Sequence, residues 1–249
     1  MEIFLSIIIP AYNKQYYIQN TLDEILNIFK NKDYKTEIIV VNDGSKDQTE
    51  KIIYNFIQNN LNPLENVLSG KIIIKVVNNE KNSGKGFSVK RGILQSQGKY
   101  ILFTDADLST PIEEFGKLFL FLNNGYDIAI ASRDLPESSV IKHQNIIRES
   151  MGKFFNYLVR KVTKLDFRDT QCGFKLFKKE VAFSIFPKIK ANDFSFDVEL
   201  LYIANKLDFK IKEVPVKWQN RKDSKVNIIK DSAKMFFNLL KLKKIHDDL

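Results

Sequence analysis

Short apolar runs alternate with longer amphipathic segments along the first half of the chain. We predict buried strands at the β-branched apolar runs of residues 3–10, 37–43, 71–77, 100–104 and 126–132. Apolar residues recur at helical spacing between these runs, which predicts helices over residues 14–30, 46–59, 86–97 and 111–124. Strands that are apolar on both faces and alternate with helices indicate an α/β fold, with a mostly parallel central sheet and helices on both faces.

The second half of the chain follows a less regular pattern. We predict strands at residues 171–177 and 211–218, and helices at residues 144–163, 196–207 and 227–245. No internal repeat, low-complexity tract or linker rich in proline, glycine and serine divides the 249 residues. The sequence therefore predicts a single domain over residues 1–249, with one half at 1–133 and the other at 134–249.

Composition narrows the classes of protein to consider. The single cysteine, Cys172, excludes an internal disulfide framework, and with only two histidines we expect no zinc site of cysteines and histidines. The N-terminus has no basic region ahead of its apolar run, and no apolar stretch is long enough to cross a bilayer. We therefore expect a cytoplasmic protein without a signal peptide or a transmembrane segment. The net charge of +9 indicates either an anionic partner or a general richness in lysine, and charge alone leaves both open.

Two carboxylates follow the apolar run at residues 100–104. In the stretch "FTDADLSTP", Asp105 and Asp107 stand two residues apart, so in an extended segment their side chains point to the same side. Mg²⁺ and Mn²⁺ prefer such oxygen ligands, and Mg²⁺ commonly completes its coordination with water and substrate phosphates. The alternative is a turn followed by a capped helix, with Thr110 as N-cap and Glu113 closing a capping box.

Other polar residues fall where predicted strands end. Asp43 follows a strand and either accepts hydrogen bonds from a nucleoside or forms an Asp-Gly turn. The glycine-rich stretch "NSGKG" at 82–86 has the composition of a phosphate-binding loop at a helix N-terminus, although it matches no established phosphate motif. Arg133 and Arg148 suit phosphate binding or lie in solvent.

The second half contributes an acidic helix start. Asp197 and Glu199 open the helix predicted at 196–207, where negative charge favours the helix dipole. The functional alternative for Asp197 is a general base, or a group that orients an acceptor.

Taken in order and spacing, these stretches resemble a known family. "SIIIPAYN", "EIIVVNDGSKDQT", "NSGKG", "FTDADLSTP" and "ASR" closely resemble the inverting family 2 glycosyltransferases with a GT-A fold. In the second half, "RDTQCGFKLF", "FSFDVELLYIA" and "EVPVKW" look like the dolichyl-phosphate β-glucosyltransferase branch. The resemblance covers roughly residues 5–240, and it implies a nucleotide-sugar-binding first half and an acceptor-side second half.

The resemblance implies roles for individual residues. It implies a donor site formed by Pro10, Ala11, Tyr12, Asp43, Asn82, Gly84, Lys85, Asp105, Gln171 and Gly173. It implies Mg²⁺ or Mn²⁺ bound by Asp105 and Asp107, with Asp107 as the main ligand. It also implies catalytic roles for Asp107, Arg133, Arg148 and Asp197, the two arginines holding donor and acceptor phosphates.

The implied reaction is a single in-line displacement at the anomeric carbon of the donor sugar. The resemblance implies glucose from UDP-glucose and a polyprenyl or dolichyl phosphate acceptor. Ser109 stands where mannosyltransferase relatives often have a glutamine, which disfavours the alternative donor GDP-mannose. A saccharide hydroxyl is the alternative acceptor, and only that acceptor would require Asp197 as a base, because a phosphate monoester is already ionised.

A lipid acceptor implies contact with a membrane. The helices predicted at 144–163 and 227–245 combine apolar and basic residues. This composition is typical of helices that lie on anionic lipid. The alternative is that their apolar faces pack on the domain. We expect a peripheral protein on the cytoplasmic membrane face. A basic nucleic-acid-binding module is the remaining alternative. We expect no nucleic-acid partner, because no such motif occurs and the acidic pair lies at the binding edge.

Overall fold

Alternating strands and helices build the chain in the computed structural model, which describes residues 2–60, 71–142, 146–221 and 228–248. The strands are β1 (Ile3–Ala11), β2 (Lys35–Asn42), β3 (Ile72–Asn78), β4 (Tyr100–Thr104), β5 (Ile128–Ser132), β6 (Ser139–Lys142), β7 (Phe174–Lys178), β8 (Ile211–Pro215) and β9 (Lys217–Gln219). The helices are α1 (Ile18–Phe29), α2 (Thr49–Asn60), α3 (Lys85–Leu94), α4 (Phe115–Asn123), α5 (Ile146–Thr163), α6 (Lys179–Ile185), α7 (Phe196–Lys206) and α8 (Ile228–Ile245). Short 3₁₀ helices cover Ile112–Glu114 and Phe186–Lys188.

Within the described ranges, one seven-stranded sheet has the order β3-β2-β1-β4-β7-β5-β8. The neighbours β3, β2, β1 and β4 are parallel, as are β5 and β8, and only β7 runs against the strands beside it. A smaller sheet pairs β6 with β9. The predicted α/β architecture is confirmed, and strands from both predicted halves enter one sheet.

Alternate residues of each central strand face opposite hydrophobic cores. On one face Ile7 and Leu102 pack with residues of α1, α2 and α4. On the other, Ile8 and Phe103 pack with residues of α3, α5, α6, α7 and α8. Both faces of the sheet are therefore buried, which explains why its strands read as continuous apolar runs. Among the described residues, no helix combines the length and apolar character needed to cross a membrane.

Two local predictions at helix ends are wrong. The hydroxyl of Thr110 lies 3.5 Å from the sulfur of Cys172, and the 3₁₀ helix that follows has no side-chain cap, so the predicted capping box does not form. Helix α3 ends at Leu94, before the end predicted at residue 97, so Gly98, a residue type common just after helices, does not cap it. Gly98 instead allows a close approach to β1, since a Cβ there would lie 2.5 Å from Ser6 Oγ.

Three elements also differ from the predicted pattern. Strand β6 and helix α6 were not predicted, because each is too short to show a clear period. The strand predicted at 211–218 is divided into β8 and β9. Pro215 has no N–H for a ladder, and the chain then leaves β5 to pair with β6.

A buried carboxylate joins three strands and the segment that follows α3. Glu37, in the middle of β2, is fully buried and accepts hydrogen bonds from the Ser6 hydroxyl and the Gln97 N–H. Its second oxygen binds Lys75 Nζ on β3 at 2.8 Å. Burial acts to raise the pKa of Glu37, but the hydrogen bonds from Lys75, Ser6 and Gln97 outweigh it and hold the pKa below its ordinary value.

We expect Glu37→Gln to lower the free energy of unfolding by about 2 kcal/mol at neutral pH, measured by urea denaturation, because the amide cannot satisfy all these donors. A group whose pKa is depressed by folding stabilises above its unfolded pKa, and this contribution is lost as pH falls through the folded pKa. The difference in unfolding free energy between variant and wild type should therefore become smaller as the pH falls. A gap independent of pH would contradict this, and Glu113→Gln, at an exposed glutamate, serves as the control.

Candidate active site

The carboxyl ends of the parallel strands bring polar residues to one edge of the sheet. Tyr12 follows β1, Asp43 follows β2, Asp105 follows β4 and Arg133 follows β5. Strand β7 runs in the opposite direction, so it begins at this edge, directly after Gly173. Residues from both halves of the chain are therefore placed together, as parallel α/β sheets place their ligand sites.

The acidic pair lies in a tight turn after β4. Asp105 donates its N–H to the carbonyl of Gly173 at 3.1 Å, and its own carbonyl accepts from Leu108 N at 3.2 Å. Leu108 has a left-handed backbone (φ 45°) and a buried side chain, a strained conformation for a residue with a Cβ. Asp107 Oδ1 accepts the Ser109 N–H at 3.1 Å. The turn thus holds both aspartates at the sheet edge.

Gly173 leaves room for the first aspartate. A Cβ at position 173 would lie 2.0 Å from Asp105 Oδ2, far inside the contact distance of real atoms. Any other residue at position 173 would therefore displace the Asp105 carboxylate. The predicted donor-site residue Gly173 is in direct contact with the acidic pair.

Each aspartate of the pair has a lysine. Lys85 Nζ lies 2.6 Å from Asp105 Oδ1, and Lys14 Nζ lies 3.7 Å from Asp107 Oδ2. Burial acts to lower the pKa of Lys85, but Asp105 and then Asp197 outweigh it and raise the pKa above its ordinary value. Sequence reasoning missed Lys14, although its position just after β1, at the same edge, was an available signal.

A third ion pair is more deeply buried than these two. Lys175, the second residue of β7, is fully buried, and its ammonium donates to both the Asp197 carboxylate and the Cys172 carbonyl. Asp197 is only 2% exposed. Burial raises the pKa of Asp197, and Lys175 and Lys85 oppose that rise. Lys175 was also missed, although a lysine inside the apolar run "FKLFK" was a visible anomaly.

Arg133 is fastened to a buried partner. Its Nε and Nη2 donate to the two carboxylate oxygens of Asp169 at 2.6 and 2.8 Å. The guanidinium also lies over the Trp218 ring, 5.4 Å from its centroid. Burial acts to raise the pKa of Asp169, but Arg133 outweighs it and lowers that pKa. Two of the five N–H donors of the Arg133 guanidinium are therefore bound by Asp169. Arg148 belongs to α5, but its side chain lies outside the described residues.

A polar cleft of about 510 Å³ opens at the ends of β1, β2 and β3. Its lining includes two predicted donor-site residues, Tyr12 and Asn82, together with Asn42, Gly44, Ser45, Lys46, Glu50, Asn78, Asn79, Glu80 and Lys81. Pro10 and Ala11 end β1, and the Ala11 side chain is buried in the core. The backbone N–H of Gln171 donates to Asp169 at 3.2 Å.

Asp43 organises the glycine-rich loop beside the cleft. Its carboxylate accepts hydrogen bonds from Asn79 Nδ2 at 2.7 Å and from the N–H groups of Ser83 and Gly84, each at 2.9 Å. Two backbone donors expected to face a phosphate therefore bind the protein's own carboxylate. Gly84 has φ 102°, and a Cβ there would lie 2.2 Å from the Asn192 carbonyl oxygen. Only glycine fits this position.

The residues present suit a divalent cation that also binds substrate. In the part of the chain with described side chains, no group of three or more histidine, cysteine, aspartate or glutamate residues is arranged to hold a metal ion. Asp105 and Asp107 offer hard oxygen ligands, and their side chains are 35% and 18% exposed. Mg²⁺ is typically bound by one or two carboxylates together with substrate phosphates, and this donor set fits that pattern.

Residues 6–186 match the sequence profile of Glycosyl transferase family 2. The chain belongs to this family. A dolichyl-phosphate β-glucosyltransferase of Dictyostelium discoideum is 35% identical over 97% of this chain and 74% of its own length. The human dolichyl-phosphate β-glucosyltransferase is 35% identical over 89% of this chain and 69% of its own length. The predicted family is confirmed, and the protein is a glycosyltransferase.

Solved structures support the fold of this glycosyltransferase. Glucosyl-3-phosphoglycerate synthase from Mycobacterium tuberculosis, in complex with Mn²⁺, UDP-glucose and glycerol 3-phosphate, superposes with a TM-score of 0.68. The match covers 96% of this chain and 79% of that one, at 17% sequence identity. At this identity the similarity establishes the GT-A fold alone.

We expect Gly173→Ala to reduce kcat/KM for sugar transfer by about 100-fold or more, because displacing Asp105 by about 1 Å misplaces the reacting groups. Steady-state kinetics on the purified protein would measure this. Gly116→Ala is the matched control, since a Cβ at that helical position meets nothing within 4 Å. Equal activity of Gly173→Ala and Gly116→Ala would contradict the steric role of Gly173.

Proposed function

We propose that this glycosyltransferase is metal-dependent and inverting, and that it transfers glucose from UDP-glucose to a dolichyl or other polyprenyl phosphate. The observation that carries the proposal is the position of the Asp105–Asp107 turn, at the same sheet edge as the polar cleft and next to residues of the second half. The names of the relatives, all dolichyl-phosphate β-glucosyltransferases, support the sugar and the acceptor.

The cleft suits the nucleoside of the donor. Tyr12 offers an aromatic ring, and Asn42 and Asn82 offer amide groups for the hydrogen bonds of a base and a ribose. The diphosphate then extends toward Asp107. Ser109 supports glucose over mannose, because it lacks the amide oxygen that mannosyltransferase relatives often place there.

Asp105 and Asp107 would hold Mg²⁺ or Mn²⁺ between the protein and the diphosphate. The cation would supply charge neutralisation for the departing nucleoside diphosphate. Asp107 is the better placed ligand, since only the looser contact with Lys14 competes for its outer oxygen. Asp105 must first exchange its close contact with Lys85.

The state of Asp197 favours a phosphate acceptor. Its carboxylate is buried and bound to Lys175, so it is poorly placed to take a proton from an approaching sugar hydroxyl. A polyprenyl phosphate needs no such base, because its phosphate is ionised near neutral pH. Asp197 then acts by orienting its neighbours. The guanidinium donors of Arg133 that Asp169 does not bind, together with Arg148, would attract the acceptor phosphate.

An exposed apolar and basic surface supports contact with a membrane. Helix α8 packs inward through Met235, Leu239 and Leu242, and its outer side carries the exposed residues Phe237, Leu240, Lys241 and Lys244. Helix α5 packs against α8 and exposes Phe154, Tyr157 and Lys161. Such a mixture suits the interface of an anionic bilayer. We therefore propose that the enzyme is a peripheral membrane protein.

We expect product only when UDP-glucose, Mg²⁺ or Mn²⁺, and a short polyprenyl phosphate are all supplied, in a panel that also contains GDP-mannose, EDTA and free saccharides. Asp107→Asn should lower the rate by about 100-fold or more, because a ligand of the cation is lost. Glu113→Gln, at an exposed acid nearby, should leave the rate unchanged. Transfer to saccharides but not to lipid phosphate would reject the proposed acceptor.

We expect the protein to float with vesicles that contain anionic lipid at low salt, and to dissociate as the salt concentration rises. The double substitution Phe237→Ser and Leu240→Ser should abolish flotation. Leu120→Ser, at a residue 61% exposed on α4, which packs on the opposite face of the sheet, is the matched control. Flotation that survives the double substitution would exclude this surface as the contact.

A further inference from the structure

Three carboxylates and three ammonium groups meet at the centre of the site. We call this set the charge cluster, and its members are Asp105, Asp107, Asp197, Lys14, Lys85 and Lys175. Each carboxylate has a lysine as its partner, so the formal charges of the cluster cancel. This balance matters most at the buried Lys175–Asp197 pair, because an uncompensated charge is costly away from water.

Of the two lysines that contact the Asp105–Asp107 pair, Lys85 makes the closer contact. Its ammonium lies 2.6 Å from Asp105 Oδ1, and it also interacts electrostatically with Asp197 and Asp107. The rings of Phe103 and Phe194 lie 5.1 and 5.8 Å from the ammonium and restrict it further. The Lys85 side chain is only 16% exposed. A divalent cation that approaches Asp105 therefore meets a cation already in place.

The balance of charge predicts what can displace Lys85. A divalent cation alone would add two positive charges to a cluster that is already neutral, and would repel Lys85. A nucleotide-sugar diphosphate carries one negative charge on each phosphate, so cation and diphosphate together leave the balance unchanged. Asp197 keeps its own partner, Lys175, when Lys85 turns away.

We propose that Lys85 sets the order of binding: it occupies Asp105 while no donor is present, and a divalent cation binds strongly only together with the donor diphosphate. In the loaded site the ammonium of Lys85 leaves Asp105 and faces the diphosphate oxygens. Lys85 is then a counter-ion in both states, first of the protein and then of the substrate. This inference rests on the proposed nucleotide-sugar donor and divalent cation.

The first test measures Mn²⁺ binding to the wild-type protein without any turnover. Free Mn²⁺ is followed by electron paramagnetic resonance while the protein is titrated, with no nucleotide, with UDP or with GDP. We expect a nucleoside diphosphate to lower the dissociation constant for Mn²⁺ by about tenfold or more, after correction for Mn²⁺ bound by the nucleotide alone. A protein that binds UDP but holds Mn²⁺ equally well without it would overturn the proposal.

The second test removes the competing charge. Lys85→Met keeps an unbranched apolar side chain between the two rings, and should tighten the binding of Mn²⁺ alone by about tenfold. Lys85→Arg retains the charge and should bind Mn²⁺ alone as weakly as wild type. Lys90→Met removes a lysine of the same helix that donates to the Pro187 and Ile189 carbonyls, and it should change nothing.

Unchanged or weaker Mn²⁺ binding by a folded Lys85→Met would overturn the proposal, with folding checked by thermal melting. Lys14→Met, at the looser pair, should show a smaller gain and gives a second route if the first variant does not fold. Because these comparisons measure the binding of the metal alone, their outcome does not depend on whether the proposed transfer reaction is correct. Sugar transfer by a protein without the nucleotide effect would reject only the role of Lys85.

Discussion

The active site depends on the contact between Gly173 and Asp105. The two residues are distant in the sequence, and they meet because β7 enters the sheet antiparallel beside β4. The Gly173 carbonyl accepts the Asp105 N–H, and the missing side chain at Gly173 leaves space for the Asp105 carboxylate. One strand reversal therefore joins the acidic turn of the first half to the residues of the second.

Charge compensation explains how two aspartates can follow a buried strand. Like charges this close would be unfavourable alone, and the chain supplies a lysine from a different element for each. Lys14 comes from the loop after β1, and Lys85 from the first turn of α3. The chain itself therefore compensates the charge of both carboxylates.

The sequence predicted the sheet and its binding edge well, because both follow from local patterns. Apolar runs marked the strands, and parallel strands necessarily bring their carboxyl ends together, which located Asp43, Asp105 and Arg133. The partners of these residues were not predictable in the same way. Lys175 and Asp169 are placed by long-range strand pairing, which has no signature in local periodicity.

The errors at helix ends have a similar cause. Thr110 and Gly98 carry the residue types of helix caps, but each is used for a tertiary contact, Thr110 with Cys172 and Gly98 with Ser6. Propensity describes what a residue does when no distant partner competes for it. Near a densely packed sheet edge, the distant partner determines the outcome.

The strand order also determines when the site can form as the chain is made. Strands β4 and β5 follow one another along the chain, but in the sheet β7 lies between them. The edge of β4 therefore stays unpaired until the chain has been synthesised as far as Lys178. Closing this gap joins segments far apart in the chain, which is a slow kind of contact to make. The acidic turn thus acquires its neighbour late, and a polypeptide that stopped before β7 would hold both aspartates without the contact that positions them.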